Sequence, residues 1–290
     1  MRGAIVLLIA ASWATWDQAP SSTPQPLKAT IAARAVQPGE LIVLTITSSR
    51  PLDDIQVGAF DRNVPAFSIG DQKWQALLGI DADVRPARYT VRVEGRANSS
   101  VYRHAIPLQV RPRKFPTRRL QVDPSFVNPP PEVEGRIKKE AALLAALWRT
   151  PSERRLWSGA FVRPAPGASS SRFGALSIFN GEPRGRHSGE DFGGDEGTPI
   201  VAPNAGRVVA AQDLYFSGNT VVIDHGLGLF SLLAHLSAID VKEGESVTAG
   251  QQIGRLGATG RVTGPHLHWA VRLNGARIDP SSLLATLGSP

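Results

Sequence analysis

The sequence predicts a mainly β protein: an N-terminal immunoglobulin-like β-sandwich, a linker carrying one helix, and a C-terminal antiparallel β domain. Three observations predict it. The 290 residues hold 28 Gly and 23 Pro beside 42% hydrophobic residues, enough to bury a core but punctuated as turn-rich proteins are. Apolar runs are short and bounded by Gly, Pro, Asn or Asp, while helical period is confined to one stretch. The length favours two domains over a single small core.

The chain opens with Arg2 ahead of an apolar stretch from Ala4 to Ala11, then small residues, with Ser12-Trp13-Ala14 resembling a signal-peptidase site. An export signal is therefore expected over residues 1–14, placing the protein in the periplasm or cell envelope, membrane-tethered if the signal is retained. The apolar run falls short of the roughly 20 residues that span a bilayer as a helix.

Residues 27–113 carry the sandwich pattern. Leu41 to Thr47 is rich in β-branched residues, and Tyr89, Val91 and Val93 alternate with Thr90, Arg92 and Glu94. Gln37-Pro38-Gly39, Arg50-Pro51, Ile69-Gly70-Asp71 and Arg85-Pro86 fall at turn-like intervals. His104 sits in this pattern without a neighbouring ligand residue, as a structural histidine would.

Residues 114–170 read as a Pro-rich linker and helix. From Glu132 to Arg149 the period turns helical: Ile137, Ala141, Leu144 and Trp148 share a stripe, and Glu134 and Lys138 pair at i,i+4 on another face. The basic run Arg111, Arg113, Lys114, Arg118 and Arg119, set between prolines, reads as solvated linker, and Pro166 to Ser171 as a loop. Residues 171–290 return to strands at Thr198–Ala202, Gly206–Ala211, Thr220–Asp224, Leu229–Ala234, Gln252–Leu256 and Leu267–Leu273.

Cysteine is absent, which excludes disulfide stapling, a thiolate nucleophile and any Cys-ligated metal. A formal charge of +7 suits weak association with polyanions, here anionic envelope polymers or a membrane surface; an exported protein would not meet nucleic acid.

Of the six histidines, five follow residue 180. His187 and Asp191 stand in an H-x-x-x-D spacing that can converge on one ion from a helix turn or an ordered loop. His266 and His268 form an H-x-H in a predicted strand, so both point to one face, about 6.6 Å apart along it. One can ligate an ion while the other stands beside it. His235 closes an apolar strand, and His225 leads a strand into a glycine turn and reads as structural. A His/Asp/His triad with two spare imidazoles leaves a fourth position open on tetrahedral zinc. Its mixed N/O set suits zinc over calcium or magnesium, though iron sites also use two histidines and a carboxylate.

The segments GRHSGEDFGG, GTPIVAPNAGRVVAA, GNTVVIDHGLGLFSLLAHLS and VKEGESVTAGQQIGRLGATGRVTGPHLHWAVRLNG resemble, in order and over about residues 170–285, the lysostaphin-type zinc endopeptidases of bacterial cell walls. The resemblance implies one zinc held by His187, Asp191 and His268, with His235 and His266 as catalytic imidazoles, and hydrolysis of peptidoglycan cross-link peptides, D,D cross-links ahead of polyglycine bridges. No H-E-x-x-H glutamate base is present, so imidazole takes that role. Tyr215 and Phe216 are candidates to line the groove, and Glu190 has no assigned duty. Phe230 stands where the family often has Tyr. Asn180 resembles a position from which latent members occlude the zinc. The alternative function, a non-hydrolytic regulator of other wall hydrolases, fits relatives that have lost ligands, whereas all five positions stand here. VKEGESVTAGQQIG also resembles biotinyl and lipoyl carriers, but Lys242, the lysine available, lies outside a hairpin turn.

Overall fold

The computed structural model describes residues 26–288; the expected export signal at 1–14 lies outside them. The architecture is mainly β, with antiparallel sheets and two α-helices among the described residues.

Eight strands build the N-terminal unit: β1 (Leu27–Ala33), β2 (Leu41–Ser48), β3 (Asp54–Ala59), β4 (Arg62–Val64), β5 (Ala66–Gly70), β6 (Lys73–Gly79), β7 (Arg88–Ala97) and β8 (Ser100–Gln109). They form two four-stranded sheets, β1-β2-β6-β5 and β4-β3-β7-β8, packed over a shared core of Ile42, Leu44, Ile46, Ala76 and Leu78 from one and Val57, Val64, Val91 and Val93 from the other. Alternation explains β7, where Val91 and Val93 are buried and Arg92 is exposed. In β2, Leu41 to Leu44 are all buried. Its even residues enter the sandwich core, whereas Leu41 and Val43, with Leu77 of β6, enter the core of the C-terminal unit.

Next come β9 (Thr117–Leu120) and α1 (Pro131–Leu147). The helix starts with proline in its first turn, beside Glu132 and Glu134, which suit the positive end of its dipole. Leu144 and Trp148 of the predicted stripe, joined by Leu147, pack on a cluster containing Phe230 and Leu232, with Trp148 edge-on to Phe230 at 5.2 Å.

The remaining strands are β10 (Ser169–Ser171), β11 (Leu176–Phe179), β12 (Glu182–Arg186), β13 (Gly189–Gly193), β14 (Pro199–Val201), β15 (Gly206–Leu214), β16 (Gly218–Gly226), β17 (Leu229–Ile239), β18 (Ser246–Val247), β19 (Gln252–Leu256), β20 (His266–Leu273) and β21 (Ala276–Ile278), followed by α2 (Pro280–Leu287). The main path is β10-β13-β20-β17-β16-β15-β18, with β19 joining β17 to β14 and β21 flanking β20. A three-stranded sheet, β12-β11-β9, stands beside it. His225 is structural, as expected. It is fully buried, with Nδ1 at 2.8 Å from the Ala205 carbonyl and Nε2 at 2.9 Å from the Ser231 hydroxyl, to which Trp269 Nε1 also donates.

The structure corrects the expected linker. Thr117–Leu120 pairs in parallel with β11 across the intervening helix. Farther on, Trp157, Phe161 and Ala165 belong to the core of the C-terminal unit, and Ser169–Ser171, expected as loop, pairs with β13. The basic run is not uniformly solvated either. Arg113 donates to Asp279 at 2.6 Å, and Arg34 joins Asp279 to the buried Glu40 at 3.0 and 2.8 Å. Glu40 in turn accepts from Ser282, whose hydroxyl accepts from the Leu41 amide. Every buried polar group named at this junction therefore has a partner, so sandwich and sheet meet without a stranded charge.

A second clamp joins them where Arg277 of β21 donates to Asp81 through its backbone and its side chain. Burial alone would raise the Asp81 carboxyl, but these bonds and the Arg277 charge overcome it and hold the pKa at about 2. A depressed carboxylate contributes stability that is present above its unfolded pKa near 4 and lost as pH falls through the folded value. Asp81→Asn is thus expected to destabilise the protein by about 1 kcal/mol at neutral pH, allowing for solvent screening. Denaturant titrations should show the variant and parent converging as pH falls from about 4 toward 2.

Candidate metal and catalytic site

The site forms where β13, β17 and β20 run side by side. Antiparallel register sets Asp191 directly opposite His268 and Gly193 opposite His266, so both β20 histidines share the face on which Asp191 emerges. The H-x-x-x-D pair was expected on a helix turn or ordered loop; instead His187 precedes β13 and Asp191 lies within it. Such close pairing needs a glycine at 189, because a Cβ there would lie 2.3 Å from the Trp269 carbonyl oxygen and 2.8 Å from the His268 ring.

His187, Asp191 and His268 are the candidate metal group. His187 Nε2 lies 2.9 Å from both His268 Nδ1 and Asp191 Oδ1, and His268 Nδ1 lies 2.8 Å from that same oxygen. The outward nitrogen of His187, Nδ1, stands 3.1 Å from the Arg172 carbonyl. A carbonyl there assigns the proton to Nδ1 and turns the Nε2 lone pair inward. Two nitrogens and a carboxylate oxygen thus face one another at the distance of acceptors that share a cation, and they are the donor types zinc takes. Burial would raise the Asp191 carboxyl, but the adjacent His187 and His268 imidazoles hold it well below the usual range. Burial pushes His268 down despite its bond to Asp191.

The two remaining imidazoles stand beside this group. His235 occupies a β-bulge: Leu233 faces Val221 and Leu236 faces Asn219, so Ala234 and His235 together oppose Thr220. Its φ is 65°, a left-handed conformation uncommon for histidine that turns the side chain into the cleft. The rings of His235 and His266 are 4.9 Å apart, and His235 is 5.9 Å from His268. Each free imidazole is steered by a carbonyl at Nδ1, from Thr259 to His235 at 2.9 Å and from Gly264 to His266 at 2.8 Å, leaving Nε2 available in both. Burial first, then the neighbouring His268 and His266, push His235 down to about 3, so it is neutral at physiological pH.

Phe216 lines the cleft. Tyr215 instead bonds the Ser125 carbonyl at 3.0 Å and packs on Phe126. Asn180 does not reach toward the metal group. Its amide accepts from the Val122 N–H and donates to the Val122 carbonyl, both at 2.9 Å, a clamp on the chain leaving β9. Glu190 acquires a partner, the Ser281 hydroxyl at 2.8 Å, which ties α2 to β13. Phe230, the departure from the family pattern, is buried against Trp148.

Sequence reasoning missed Arg118. From β9 it donates to Asp191 Oδ2 at 2.9 Å, Ser171 at 2.8 Å and Ser177 at 2.9 Å. Asp191 therefore offers one oxygen to the metal group and has the other fixed. Partners of this kind typically govern 10- to 100-fold in metal affinity. Arg118→Met is expected to weaken zinc binding by about that factor, measured by competition with a chromogenic chelator, while the metal-loaded protein stays folded.

Residues 185–280 match Peptidase family M23. Peptidoglycan DD-endopeptidase ShyA of Vibrio cholerae is 44% identical over 93 residues, 32% of this chain and 22% of that protein. DD-carboxypeptidase/endopeptidase Mpg of Neisseria meningitidis is 42% identical over 97 residues, 33% of this chain and 22% of that protein. The chain thus matches about a fifth of the length of these curated relatives. A crystal structure from Pseudomonas aeruginosa, provisionally assigned to peptidase M23, superposes with a TM-score of 0.67 at 32% identity, covering 88% of this chain and 96% of that one.

Proposed function

The chain belongs to peptidase family M23, and from that premise we propose that it is a zinc-dependent endopeptidase that hydrolyses the peptide cross-links of bacterial peptidoglycan, D,D cross-links first among them. The observation that carries this reading is the convergence of His187, Asp191 and His268 on one point, with the Nδ1-anchored imidazoles of His235 and His266 beside it in the same cleft. The D,D preference rests on the relatives named for that chemistry.

Bound by the three ligands, zinc supplies Lewis acidity to the scissile carbonyl and lowers the pKa of water toward neutrality. The protein's own groups do the rest. His235 is neutral and buried, and with its proton on Nδ1 toward the Thr259 carbonyl it presents the Nε2 lone pair to the cleft, where it accepts from the attacking water and orients it. His266 is the more exposed of the pair, so solvent helps it carry the proton taken from the water and pass it to the leaving amine. The Arg118 bond keeps Asp191 from rotating away during turnover.

The test is digestion of purified sacculi by zinc-loaded protein, with the released muropeptides separated and weighed by mass spectrometry. Cross-linked dimers should be converted to monomers whose new termini mark a D,D bond. Intact cross-links after prolonged digestion would overturn the reading. Since that substrate lies outside the inner membrane, we infer export directed by residues 1–14, and the intact mass of envelope-recovered protein should lack them.

A further inference from the structure

Four arginines line the catalytic cleft, Arg118, Arg184, Arg186 and Arg261, against one carboxylate, Asp191. Three have acidic partners: Arg118 with Asp191, Arg184 with Glu182 and Arg186 with Asp83. Arg261 alone of the four has no acidic group within ion-pair distance among the described residues. It is half-buried, and its guanidinium lies over two aromatic rings, 4.7 Å from that of Phe179 and 4.6 Å from that of Phe216. Burial, then the charges of Arg184 and Arg118, lower its pKa to about 10. The fold thus holds a cation where desolvation and like charge both oppose it, and a bound anion would relieve both.

The two rings determine what kind of anion. They supply cation–π contact, and the guanidinium they hold offers a fork that matches a planar carboxylate with two parallel hydrogen bonds. The backbone locates the anion relative to the chemistry. Arg261 follows Thr259, whose carbonyl steers His235, and precedes Gly264, whose carbonyl steers His266. Its amide is tied to the Phe216 carbonyl at 2.9 Å, and the next carbonyl, that of Ser217, accepts from the His235 amide at 2.9 Å. One pair of loops therefore carries Arg261 and aims both imidazoles. A carboxylate seated on Arg261 lies close to the scissile bond. The residue on the acyl side has its α-carboxyl consumed in that bond, so the nearest free carboxylate belongs to the residue that leaves as the amine.

We propose that Arg261, held against Phe179 and Phe216, is a substrate-binding residue that receives a free carboxylate on the leaving-amine residue, so that the enzyme selects bonds bearing a carboxylate next to the departing nitrogen. This rests on the peptidase reading above and specifies the substrate class of that site. It separates D,D cross-links, whose amine-side D-centre keeps its carboxylate, from polyglycine bridges, whose interior residues have none.

Two peptides test it: an N-acetylated peptide ending in D-Ala-D-Ala and the same peptide as its C-terminal carboxamide. Zinc-loaded parent protein should prefer the carboxylate by about 10- to 100-fold in kcat/KM, the range expected when a site built for a charged hydrogen bond meets a substrate lacking it. In Arg261→Gln that ratio should collapse to near one, and Arg261→Lys should keep part of it. Calorimetry on zinc-loaded His235→Ala, with and without Arg261→Gln, reads the same preference without turnover. Tighter binding of the carboxylate that vanishes with Arg261→Gln upholds the proposal even if neither peptide is cleaved, an outcome that counts against the peptidase reading alone. Equal rates and equal affinities for the two peptides in the parent, or a ratio unchanged in Arg261→Gln, overturn it.

Discussion

His235→Ala is expected to keep its zinc and its fold and to lose about 100- to 10,000-fold in sacculus digestion, the usual worth of a positioned proton-transfer or oxyanion group. His187→Ala is expected to lose the metal. The difference follows from geometry. His187 Nε2 lies 2.9 Å from Asp191 Oδ1 and from His268 Nδ1, and removing one of three ligands weakens the whole coordination sphere. His235 approaches His268 only ring to ring at 5.9 Å and is held from outside by Thr259 and Ser217. His266→Ala should follow His235→Ala in rate, with some metal loss because its position shares β20 with His268. Zinc content by elemental analysis, melting temperature and muropeptide release, measured side by side, separate the classes. Parent-rate digestion by His235→Ala, or by metal-free His187→Ala, would refute the mechanism.

How much of this was legible in the sequence follows from how local each signal is. Strand alternation placed His266 and His268 on one face, and β20 obeys it because its register with β13 and β17 is regular there. Strands β14 to β17, β19 and β20 were marked by apolar runs between glycines and polar turns. β9 was not. Its four residues, Thr-Arg-Arg-Leu, sit between prolines and basic groups, and its stability comes from parallel pairing with β11 across an intervening helix, which leaves no periodic trace. The Arg118 to Asp191 bond spans 73 residues and was invisible for the same reason. β12, exposed throughout and holding Pro183 and Gly185, has no apolar face to reveal it. The unalternating burial of Leu41 to Leu44 has the opposite origin: β2 has a core on each side.

That shared strand underlies the second large effect: residues 171–290, although they contain all four site histidines and Asp191, are not expected to fold as a stable unit. The cut removes Trp157, Phe161 and Ala165 from the core they share with Val221, Leu233 and Trp269, and truncating a buried Trp or Phe costs about 3–5 kcal/mol each. Those two losses alone approach the roughly 5–15 kcal/mol that separates folded from unfolded domains. Loss of β9 strips the parallel partner from β11 and takes Arg118 from Asp191. Loss of the sandwich uncovers the surface under Leu41, Val43 and Leu77, where Gly79 packs so closely that a Cβ would lie 2.8 Å from Ile278 Cδ1 and 2.9 Å from Ala276 Cβ. The comparison is between fragment 171–290 and residues 26–290, each with equimolar zinc, by near-ultraviolet circular dichroism and thermal melting. The longer chain should melt cooperatively, and the fragment should show weak tertiary signal and no sharp transition. A cooperative fragment transition within a few degrees of the longer chain would mean that the segments N-terminal to β11 decorate the catalytic sheet without supporting it.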